Sequence, residues 1–84
     1  MNSAQSFYEK VSRFFESYLS IPKNAYFYEQ NEILTRDGIK YCANCLVYHG
    51  VFINANDMKT EALKEYHIIL PDWVFEDLKR GDTE

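Results

Sequence analysis

Apolar positions near the start of the chain recur at helical spacing. Phe7, Val11, Phe14 and Tyr18 are separated by four, three and four residues, and Phe15 and Leu19 widen the same face. The pattern predicts an amphipathic helix over Ser3 to Leu19. Ser6 with Glu9 three residues on fits a capping box, with Ser3 as an alternative cap one turn earlier. Pro22 cannot continue a helix and biases Ile21 away from helical angles, so the helix is expected to stop near Ser20. Lys10 and Arg13 are too few for a membrane-surface helix, so the apolar face is expected to cover the rest of the fold.

From Ala25 to Ile53 the composition shifts to aromatic and β-branched residues. As a strand, Ala25 to Glu29 would point Tyr26 and Tyr28 outward together, with Gln30-Asn31 breaking or bulging it. Asp37-Gly38 lies between ILTR and IKYC, and an Asp-Gly pair between apolar runs signals a two-residue hairpin turn, because both central residues of a type I′ turn need φ > 0. The register would set Leu34 beside Tyr41 on one face and Ile33 beside Cys42 on the other. Leu46 to Ile53 reads as a further strand, bulged or bent at Gly50. A rival reading makes Asp37 the N-cap and Gly50 the C′ residue of a helix, with Ile39, Cys42, Leu46 and His49 on one face. The abundance of Tyr, Val, Ile, Phe and Cys favours strands over that helix.

Helical spacing then returns. Asn54 to Asp57 is loop chemistry ending in a cap, and Met58, Ala62, Leu63 and Tyr66 share one face of a short helix. His67 to Leu70 runs extended into Pro71. Pro71, Val74, Phe75 and Leu78 make another stripe, closed by Lys79, Arg80 and Gly81. The fold class expected is α+β in one domain spanning residues 1–84: an N-terminal amphipathic helix, an antiparallel three-stranded meander and two short C-terminal helices packed on the sheet.

Composition sharpens the functional reading. With 84 residues, one small core must accommodate seven tyrosines, six phenylalanines and Trp73, so some rings are expected on the surface as a contact area. Thirteen acidic and nine basic residues are interspersed, with no basic stripe for a phosphate backbone, which makes nucleic acid a poor candidate partner. Met1 is followed by polar residues, and no apolar run approaches the roughly 20 residues of a membrane helix. A soluble, cytoplasmic protein with reduced cysteines and no membrane contact is expected.

Candidate chemistry is sparse. Cys42 and Cys45 form a CxxC, and with His49 and His67 they offer four zinc-type ligands. The histidines lie too far apart for the usual paired spacing, so no metal or cofactor is expected and a zinc-stabilised module stands as the alternative. A thioredoxin-like role lacks the βαβ context. No Gly-rich phosphate loop or nucleophile elbow is present, so no catalytic residue is assigned. Thr60 to Arg80 has a helix-turn-helix outline, but Asp72, Glu76 and Asp77 would face phosphates.

The function expected is non-catalytic docking on another protein, as an inhibitor or accessory subunit, with a homodimer as a further alternative. Size, missing catalytic motifs and surplus rings also suit the small antagonists that phages and mobile elements use against host defences. Trp73, Arg80, Tyr26 and Tyr28 are the residues expected to contact the partner, because aromatic and Arg side chains dominate binding energy at interfaces.

Overall fold

A computed structural model describes residues 3–29 and 33–78, with side chains described from residue 6. Three α-helices follow in order, α1 (Ser3–Glu16), α2 (Arg36–Tyr48) and α3 (Ala55–Tyr66), and a 3₁₀ turn spans Asp72–Phe75. Among the described residues no β-strand forms. A single antiparallel backbone bridge joins Tyr28 and Leu34. The described residues are therefore all-α, and the expected α+β class with its three-stranded meander is corrected.

Helix α1 buries Val11, Phe14 and Phe15 as its spacing predicts, and ends at Glu16, earlier than Pro22 required. Ser12 is the buried polar residue of this face. Its Oγ donates to the Tyr8 carbonyl at 2.7 Å and accepts from the Leu34 N–H at 2.8 Å, so one hydroxyl ties α1 to the segment entering α2. That segment is a turn: the Phe27 and Tyr28 N–H groups both donate to the Asn24 carbonyl, and the Tyr26 N–H donates to Asn24 Oδ1.

The hairpin expected at Asp37-Gly38 is the first turn of α2. Thr35 is the N-cap, its Oγ1 accepting from the Gly38 N–H at 2.9 Å and donating to the Tyr26 carbonyl at 2.8 Å. Asp37 favours this position because a carboxylate complements the positive end of the helix dipole. Gly38 is needed for close packing, since a Cβ there would overlap the carbonyl oxygen of Phe27. Ile39, Cys42, Ala43 and Leu46 then bury a continuous stripe at spacings of three, one and three. Burial of that stripe outweighs the weak β preference of the residues around it. At the other end Gly50 adopts φ +78, the Gly50 N–H donates to the Val47 carbonyl at 3.1 Å and the Val51 N–H to the Leu46 carbonyl at 2.9 Å. This Schellman arrangement replaces the expected strand from Leu46 to Ile53.

Asn54 caps α3 by accepting from the Asp57 N–H, while Asp57 Oδ2 accepts from the Ile53 N–H. Met58 and Ala62 are buried and Leu63 is exposed. His67 closes α3 in the left-handed region at φ 58. Val74 and Phe75 are buried as their stripe predicts, but on a 3₁₀ turn; the rest of the expected last helix, from Lys79 on, lies outside the described residues. Helix α2 packs on α1 and on the 3₁₀ turn, and α1 also meets α3. Phe14 is the hub, with ring centroids 5.2 Å from Phe15, 5.2 Å from Tyr66 and 6.2 Å from Phe52.

Candidate functional site: an aromatic band on the second helix

The outer face of α2 carries Asp37, Tyr41, Asn44, Cys45 and Tyr48, which fall within about 100° around the helix axis. Tyr41 is 43% exposed and Tyr48 85% exposed. The preceding turn extends the stripe: the Phe27 ring lies 4.6 Å from Tyr41, and Tyr26, 61% exposed, meets Phe27 edge-on at 4.9 Å. A hydrogen bond between the Tyr41 hydroxyl and Cys45, followed by the latter's charge, holds the Tyr41 phenol above its usual ionisation range. Tyr26, Phe27 and Tyr41 are thus in ring contact, and Tyr48 continues the same helix face, its ring 5.1 Å from His49; the charged member of the strip is Asp37 at one end. Beyond α2, the connection to α3 also exposes Val51 and Ile53. The outward positions of the other helices are more heavily charged, with Glu9, Lys10 and Arg13 on α1 and Lys64 and Glu65 on α3.

The residues expected to contact a partner are dispersed. Tyr26 belongs to the band. Tyr28 does not: it is buried, donating its hydroxyl to Glu16 Oε2 at 2.7 Å beneath the Lys23 ammonium, 4.6 Å from the ring centroid. Tyr26 and Tyr28 would share a face only on a strand, and a turn separates them. Trp73 is half-buried at the rim of the core, its ring covered by the Arg36 guanidinium at 3.9 Å and approached by Tyr8 at 6.4 Å. Arg80 lies outside the described residues.

A cleft of about 460 Å³ opens beside Trp73, between Ala55 and Lys59 of α3 and Asp72, Phe75 and Glu76. Its charges are matched internally, Lys59 pairing with Asp72 at 3.1 Å and Lys40 with Glu76 at 3.3 Å. Such exposed pairs leave little net field for a ligand.

The zinc alternative finds no geometry. Cys42 is fully buried, its thiol pushed up to about 12 by burial and then by Cys45, while His49 and His67 are exposed at the C-terminal ends of two different helices. Among the described residues no cluster of three or more His, Cys, Asp or Glu could hold a metal ion. Nor, among them, is any helix long and apolar enough to cross a membrane.

Tyr41 and Tyr48 escaped the sequence reading because their shared face exists only on a helix. Their i, i+7 spacing with Cys45 between was the available signal. The chain matches no protein-family model, and comparison with curated proteins and with solved structures finds no match.

Proposed function

We propose that this chain works without catalysis, by docking on another protein as an inhibitor or accessory subunit, and that the aromatic band of α2 is its contact face. The observation that carries this reading is the concentration of Tyr26, Phe27, Tyr41 and Tyr48 on one nearly uncharged strip of a chain in which 26% of residues are charged. Interface cores are enriched in aromatic residues and depleted in charge, and tyrosine provides contact area at low entropic cost. The thiols and imidazoles fit binding better than catalysis: the Cys42 thiol is buried and protonated, the partly exposed Cys45 lies within the contact strip itself, and both histidines cap helices in solvent.

The test is a paired affinity capture from the native host with the natural chain and a Tyr41→Ala/Tyr48→Ala variant of matched melting behaviour. A protein retained by the first and lost by the second is the expected result. Capture unaffected by the double substitution would remove the band as the contact face.

A further inference from the structure

The stripe on α2 has a symmetry that its role as a contact face leaves unused. Tyr41 and Tyr48 stand equally far on either side of the Asn44-Cys45 peptide. We propose that the free chain pairs with a second copy through this stripe, α2 against α2 in antiparallel sense, with Cys45 close to the two-fold axis. The proposal rests on the band being a contact face, and it makes the dimer the state from which a different partner recruits the chain.

Charge argues for a second copy in this arrangement. Each chain carries a net −4, so two copies must meet where neither presents its surplus acid. On α2 the outward acid is Asp37. In an antiparallel pair centred between Asn44 and Cys45 the two Asp37 carboxylates lie about 22 Å apart along the axis, from 1.5 Å per residue. That is more than twice the ~8–10 Å screening length at physiological salt. Each Tyr41 then faces the partner's Tyr48, an offset ring contact made twice by one symmetric patch. The antiparallel sense also opposes the two helix dipoles.

The available area fits a weak dimer. At roughly 200 Å² per ring, the exposed fractions of Tyr26, Tyr41 and Tyr48 amount to about 380 Å² per copy. That is about half of the ~800 Å² per partner of a standard interface. A reversible dimer forming in the micromolar range leaves the face open to a better-fitting partner.

The decisive experiment is sedimentation velocity on the full chain from about 5 to 500 µM, a span that brackets such an affinity. Beside it, a short bis-maleimide is used, whose two double bonds each add one thiol without any oxidant. The expected result is a mass that doubles with concentration, and a cross-linked dimer that disappears in Cys45→Ser. Tyr48→Lys should remain folded, since Tyr48 is 85% exposed, and should stay monomeric with at least a tenfold loss of cross-linking. Cross-linking no greater than that of a Cys45→Ser/Thr60→Cys control, with its thiol on the exposed side of α3, would overturn the pairing, as would a dimer that survives Tyr48→Lys. A chain that is monomeric throughout yet loses its captured partner on Tyr41→Ala/Tyr48→Ala would assign the face to a different protein alone. A dimer with no such loss of capture would retain the pairing and reject the docking role.

Discussion

Ser12→Ala isolates the contact that fixes α2 against α1. The hydroxyl serves two partners, and the one that matters is the Leu34 N–H, which comes from a fully buried residue 22 positions away. Removing the oxygen leaves that donor without a partner in the core, at a cost of about 1–3 kcal/mol. Alanine returns about 0.5 kcal/mol through its higher helix propensity. The net loss is about 0.5–2.5 kcal/mol, which for a domain of this size lowers the melting temperature by roughly 2–20 °C. Ser17→Ala is the solvent-exposed comparison: its Oγ donates to the Phe14 carbonyl at 2.7 Å and accepts from the Tyr66 hydroxyl at 3.3 Å, but water can replace both bonds at this exposed site, so a change below about 0.5 kcal/mol is expected. Thermal and urea unfolding followed by circular dichroism read both. Equal melting temperatures for Ser12→Ala and the natural chain would refute the hydroxyl bridge, and with it the placement of residues 33–35 on α1.

Trp73→Ala removes a half-buried ring along with its Arg36 contact, so a loss of about 2 kcal/mol is expected, smaller than for a core ring; a melting temperature unchanged within 2 °C would show that the indole does not pack on the rim. Burial holds the Cys42 thiol neutral up to about 12, so the unfolded chain releases this proton first as pH rises. Stability from this group is complete below the ordinary thiol range and declines above about pH 9, by up to ~1.4 kcal/mol per pH unit. Urea titrations should show that alkaline slope, flattened in Cys42→Ala, and an identical slope in both proteins would contradict the burial. His67 sits at φ 58, where L-residues are strained by about 1–2 kcal/mol. Allowing for glycine's extra chain entropy, His67→Gly should gain about 0.5 kcal/mol and raise the melting temperature by a few degrees; a drop would mean the imidazole makes a contact worth more than the strain.

The parts of the fold legible in the sequence are those where side-chain spacing and burial agree: Val11, Phe14 and Phe15 on α1, Met58 and Ala62 on α3, Val74 and Phe75 on the 3₁₀ turn. Helix α2 was obscured by its composition. Its Tyr, Val, Ile and Cys residues suit a strand, and Asp37-Gly38 carries turn chemistry, yet Gly38 is required by the approach of the Phe27 carbonyl rather than by a positive φ. That requirement is set by residues eleven positions upstream and is invisible in a local window. The rival helical reading had the Ile39, Cys42, Leu46 stripe and the Gly50 terminus, and placed the cap at Asp37 where Thr35 provides it. Once the helix is in place, Tyr41, Cys45 and Tyr48 align. Strand alternation instead turns Tyr28 outward, where the structure buries it, and the helical stripe expected from Pro71 to Leu78 leaves Trp73 outside the core, where the structure sets it at the rim with its face occupied by Arg36.

If the α2 band is where this chain contacts its partner, truncating its most exposed ring must weaken binding and leave the fold intact. Calorimetric titration of the captured protein against the natural chain and against Tyr48→Ala reads this, because Tyr48 is 85% exposed and contributes little to the core. An anchor at an interface costs at least ~2 kcal/mol on truncation, so Kd should rise about 30-fold while the melting temperature stays within about 2 °C. Equal affinity for both proteins would contradict the claim.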